Sequence, residues 1–75
     1  MIVSIIIVSE AGDRFPYNFQ DKSVEEIATI LNKDMVNYSP MGEYDCTCFN
    51  ETPEESKALS LLMTDISTKS ENFYE

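Results

Sequence analysis

Met1-Ile2-Val3-Ser4-Ile5-Ile6-Ile7-Val8-Ser9 places seven Met, Ile or Val residues within nine positions. β-Branched side chains suit the pleated surface of a strand. Alternation sends Val3, Ile5 and Ile7 to one side and Ile2, Ile6 and Val8 to the other, so both faces are apolar. Such a strand is expected at the centre of a sheet, covered on both sides. A single layer of helices covers one face. The second apolar face is then a candidate dimer or partner surface.

Working outward, Glu10-Ala11-Gly12-Asp13 reads as a turn, with Gly12 free to take a positive φ. A second strand follows, carrying Phe15, Tyr17 and Phe19 on one face. Pro16 lacks the N–H that a central strand donates, so this strand is expected at an edge or interrupted there. Ser23-Val24-Glu25-Glu26 is a capping box, in which the Ser23 hydroxyl accepts from the Glu26 N–H and the Glu26 side chain reaches back. Val24, Ile27, Ala28, Leu31 and Met35 recur at helical spacing and predict an amphipathic helix. Asp21, Glu25 and Glu26 lie at its start, where the helix dipole favours negative charge.

Met35 to Tyr38 reads as the beginning of a third strand, and Ser39-Pro40-Met41-Gly42 as a type I turn. Glu43 to Phe49 reads as a fourth strand, with Tyr44, Cys46 and Cys48 on one face and Asp45, Thr47 and Phe49 on the other. Thr52-Pro53-Glu54-Glu55 is a second capping box, with Pro53 at the first helical position. Ala58, Leu59, Leu62, Met63 and Ile66 form the stripe of a second helix, which Phe73 would extend. Ser67, Thr68 and Ser70 are indifferent helix formers. Residues 1–67 are therefore expected as a single domain and 68–75 as a frayed tail or helix extension. The expected fold is α+β, ββαββα, a four-stranded mostly antiparallel sheet with both helices on one face. The hairpin-then-helix order of the first half leaves a β-grasp-like arrangement as the alternative.

A chain of 75 residues buries only about 60–65% of its unfolded surface, so its stability margin is thin. Apolar residues make up 43% and aromatics 11%, the composition of a chain that folds. The first apolar run breaks at Ser9-Glu10 and lacks a basic flank, so neither a membrane span nor a secretory signal is expected, and the cytoplasm is the default location. Fourteen Asp and Glu against five Lys and Arg give a net charge of −9. That balance argues against direct contact with nucleic acid or anionic membranes, because phosphate contacts need Lys and Arg. It favours a basic protein partner.

Little in the chain suits catalysis. There is no His, Arg14 is the one Arg, and Gly12 and Gly42 are the only glycines, so no phosphate loop exists. No enzyme activity, cofactor or metal is expected. Cys46 and Cys48 share a strand face, but Cβ atoms two residues apart on a strand are about 6.5–7 Å apart, beyond disulfide reach. Two Cys without His fall short of a structural zinc site, and the pair is expected to be buried and inert.

The candidate partner-binding residues are Glu25, Glu26, Tyr38, Glu43, Tyr44, Asp45, Glu51, Glu54 and Glu55. If both helix N-termini lie at one end of the sheet, their carboxylates merge into one negative surface able to attract a basic groove. Spaced carboxylates can stand in for duplex phosphates, with Tyr38, Tyr44 or Tyr74 adding amphipathic contact area. The same residues also read as a solvated rim around two helix caps. The leading expectation is a stoichiometric inhibitor that blocks the basic nucleic-acid-binding surface of a larger protein, as a DNA mimic does. In size and charge the chain is similar to small acidic phage proteins, anti-restriction and anti-CRISPR inhibitors among them. The alternative is a homodimeric structural or assembly subunit with an apolar interface.

Overall fold

The computed structural model describes residues 1–72, with side-chain surroundings through Ser70. In chain order they form β1 (Ile2–Ser9), β2 (Arg14–Gln20), α1 (Val24–Lys33), a 3₁₀ turn (Met35–Tyr38), β3 (Met41–Phe49) and α2 (Pro53–Asn72). The sheet has three strands in the order β2-β1-β3, and β1 pairs antiparallel with both neighbours. β1 is thus central, and Pro16 sits on an edge strand where its missing N–H disturbs no inner ladder.

Val3, Ile5 and Ile7 pack beneath Ile27 and Leu31 of α1 and Leu59, Leu62, Met63 and Ile66 of α2, forming one buried cluster. Both helices therefore cover the same face of the sheet. The opposite face, built from Ile2, Ser4, Ile6 and Val8 in β1, is covered by no element among the described residues. β1 is apolar on both sides, yet only one side is roofed, contrary to the expectation of cover on both.

The expected four strands are three. Met35 to Tyr38 closes a 3₁₀ turn instead of starting a strand, because its Tyr is a core residue. Tyr38 is fully buried, packs its ring against Phe15 and donates its hydroxyl to the Leu31 carbonyl. The expected type I turn at Ser39 to Gly42 is replaced by a cis Ser39-Pro40 bond, and Met41 and Gly42 already belong to β3. Met41 pairs with Ser9 across an irregularity at Val8/Ser9. The hairpin-then-helix order that prompted the β-grasp alternative is present in β1, β2 and α1.

Buried Ser70 on α2 ties this corner down. Its hydroxyl accepts from the Met41 N–H at 2.5 Å and donates to the Tyr38 carbonyl at 3.3 Å. The Ser39 hydroxyl donates to the Ser70 carbonyl at 2.8 Å. α2 remains helical past residue 67 through Asn72, and Ser70 continues its buried stripe. The extension of that stripe to Phe73 lies outside the described residues. No described helix is long and apolar enough to cross a membrane.

Candidate protein-binding surfaces

Strand pairing decides where the acidic residues meet. Gln20 at the end of β2 and Phe49 at the end of β3 both pair with Ile2. Each is followed four residues later by the first residue of a helix, Val24 or Pro53. The two helices thus start at the same level and run in the same direction beneath the sheet. Their junctions are built alike: a residue with positive φ (Asp21 at 58°, Asn50 at 60°) comes two places before the capping Ser23 or Thr52. Asp and Asn tolerate this left-handed conformation better than other non-glycine residues.

Both helix starts are capped by side chains, and the second completes its capping box in full. Ser23 Oγ accepts from the Glu26 N–H at 3.1 Å and donates to Glu26 Oε1 at 3.4 Å. Thr52 Oγ1 accepts from the Glu55 N–H at 3.2 Å, while Glu55 Oε1 accepts from the Thr52 N–H at 2.9 Å. Glu26 and Glu55 are therefore committed to the caps, and Glu26 also pairs with Lys22 at 3.7 Å. Glu25, Glu51 and Glu54 are exposed and make no ion pair among the described residues. Five of the nine candidate residues (Glu25, Glu26, Glu51, Glu54 and Glu55) thus gather with Asp21 at one end of the molecule.

The other four go elsewhere. Val8 pairs with Glu43 and Ile6 with Asp45, which places both carboxylates on the open face of the sheet. Tyr44 pairs with Ile7 and so lies on the helix-covered side, exposed at the outer edge of β3. Tyr38 is enclosed in the core and offers no contact area to a partner. Tyr74 lies outside the described residues.

A cavity of about 350 Å³ lies between β3 and α2, lined among others by Tyr44, Cys46, Cys48, Leu59 and Met63. The two thiols are free and half-buried rather than enclosed, with their sulfurs 4.0 Å apart. Burial, the neighbouring Cys48 and the charge of Asp45 push the Cys46 thiol up to about 11. It is therefore protonated, and a poor nucleophile, at neutral pH. Among the described residues no group of three His, Cys, Asp or Glu is placed to hold a metal ion. Tyr17 donates to Asp34 Oδ2 at 3.2 Å, and burial together with that carboxylate pushes its hydroxyl up to about 12.

One surface was not anticipated in detail. Pairing through β1 sets the open face in four rows: Arg14–Val8–Glu43, Pro16–Ile6–Asp45, Asn18–Ser4–Thr47 and Gln20–Ile2–Phe49. Ile2 and Phe49 are 42% and 56% exposed, high for large apolar side chains. The apolar second face of β1 was legible in the sequence. Its flanking residues were not, because they depend on register between strands far apart in the chain. No family model, curated protein or solved structure matches the chain.

Proposed function

We propose that this protein is a non-catalytic binding module whose acidic end docks on the basic, nucleic-acid-contacting surface of a larger protein and blocks it stoichiometrically. It would act in the cytoplasm as a DNA mimic of the phage anti-restriction or anti-CRISPR kind. The observation that carries this reading is the convergence of Asp21, Glu25, Glu26, Glu51, Glu54 and Glu55 on one end through the shared level of two helix starts. Lys22 and Lys57 are the basic residues in the same segments, and Lys22 is already paired. Helix dipoles favour carboxylates at these positions, which offsets part of their mutual repulsion and holds them on two helix starts. Charge of this kind speeds encounter with a basic groove and loses strength as salt rises.

The test is affinity capture from lysate, washed at low and then high salt. The expected result is one basic nucleic-acid-binding protein in near-stoichiometric amount, released by salt and competed away by DNA. Glu25→Lys with Glu54→Lys, which spares both capping boxes, is expected to abolish capture while the fold survives. A folded double variant with undiminished capture overturns the acidic-end reading.

A further inference from the structure

We propose that the open face of the sheet is a homodimer interface, in which two copies stack face to face about a twofold axis parallel to β1. The inference is independent of the acidic-end reading. It rests on the four rows of the open face, whose midline is Val8, Ile6, Ser4 and Ile2. The strand on one side carries Arg14. The strand on the other carries Glu43 and Asp45, and a cavity of about 280 Å³ opens among these residues beside Ile6 and Val8. Neither Arg14 nor the two carboxylates has an ion-pair partner within the described chain.

A twofold axis along β1 keeps each row at its own height and exchanges left for right. Arg14 of each copy then faces Glu43 of the other, with Asp45 one row away, so one rotation makes two reciprocal charge pairs. The apolar midline meets itself: Val8, Ile6 and Ile2 lie against the same residues of the second copy, and Ser4 meets Ser4, where two hydroxyls can bond. The other in-plane axis, perpendicular to the strands, sets Arg14 against Gln20 and Ser4 against Ile6. It matches neither charge nor polarity. Isologous contacts require this self-complementarity, and aligned sheets stack about 10 Å apart with strands within about 30° of each other.

Size and charge are compatible with such a pair. Three strands and seven paired positions give a face of about 14 by 23 Å, which with side-chain relief removes on the order of 1,000 Å² over both copies. That is the lower limit for a specific interface, which suits a weak, reversible dimer. The acidic ends belong to the helix layers, each about 10 Å beyond its sheet. Across the stack they are about 30 Å apart, well beyond the Debye length of about 8 Å at physiological salt. The net charge of −9 per chain therefore does not forbid it.

Sedimentation velocity on the full chain from about 1 µM to about 1 mM reads the equilibrium directly. The wild type is expected to pass from monomer to dimer across that range. Arg14→Glu should weaken dimerisation at least about tenfold, and Arg14→Glu with Glu43→Arg should restore it to within about threefold. Ile6→Asp should give a monomer at every concentration, with an unchanged circular dichroism spectrum. Should Ile6→Asp fail to fold, the charge-exchange set, which alters only exposed groups, decides alone. A wild type that stays monomeric, or a dimer indifferent to Arg14→Glu, overturns the interface. Failure of the exchanged pair to restore association overturns the parallel axis.

Discussion

Burial and charge act on Cys46 in the same direction. The thiol is half-covered by α2, a second sulfur lies 4.0 Å away, and its raised pKa of about 11 compares with an ordinary 9.0. Because the folded value exceeds the unfolded one, the stabilising contribution is complete below pH 9 and is lost as pH rises toward 11. In that window the unfolded chain gives up a proton that the folded chain retains. Tyr17, raised from 10.0 to about 12, extends the same decline upward. Melting temperature should accordingly fall steadily above pH 9 in the wild type. In Cys46→Ala the first part of the decline should disappear, leaving a later onset set by the tyrosines. Identical pH profiles for the two proteins would mean that the Cys46 environment is no more apolar than that of the unfolded chain.

Along α2, neighbouring leucines have opposite fates. Leu62 is 8% exposed and Leu61 is 63% exposed. Leu62→Ala should cost about 2–5 kcal/mol, and Leu61→Ala should stay within about 0.5 kcal/mol, as measured by urea denaturation. Equal effects would mean that the buried stripe is misplaced. These elements were legible in the sequence because their signals are local. Ser23–Glu26 and Thr52–Glu55 each encode a helix start within four residues, and the 3.6-residue spacing of Leu59, Leu62, Met63 and Ile66 needs no knowledge of the fold. Met35 to Tyr38 departs from the expected strand because its conformation is decided from a distance. Tyr38 turns inward to the Leu31 carbonyl, and its own carbonyl is met by Ser70, 32 residues later. The acidic end was legible only conditionally. Its residues could be named, but their convergence depends on Gln20 and Phe49 sharing Ile2 as a partner.

Over the whole molecule, charge is poorly compensated. Both ion pairs among the described residues, Lys22–Glu26 and Lys69–Asp65, are exposed i,i+4 contacts along the chain, and neither joins two elements of the core. The molecule is 35 Å in its longest dimension, comparable to the Debye length of about 30 Å at 10 mM salt, so at low salt repulsion between carboxylates reaches across most of it. Adding sodium chloride to about 0.2 M should raise the melting temperature of the dilute protein by several degrees, the equivalent of about 1 kcal/mol. A flat or falling response would mean that self-repulsion is negligible. The order β2-β1-β3 also governs how the chain is made. The central strand is synthesised first, and the last strand to pair with it is complete only at Phe49, 40 residues after Ser9. At about 5–20 residues per second a ribosome needs about 2–8 s to supply it. During that interval an isoleucine-rich strand is displayed with one edge bare, its unpaired N–H and C=O groups open to pairing with another chain.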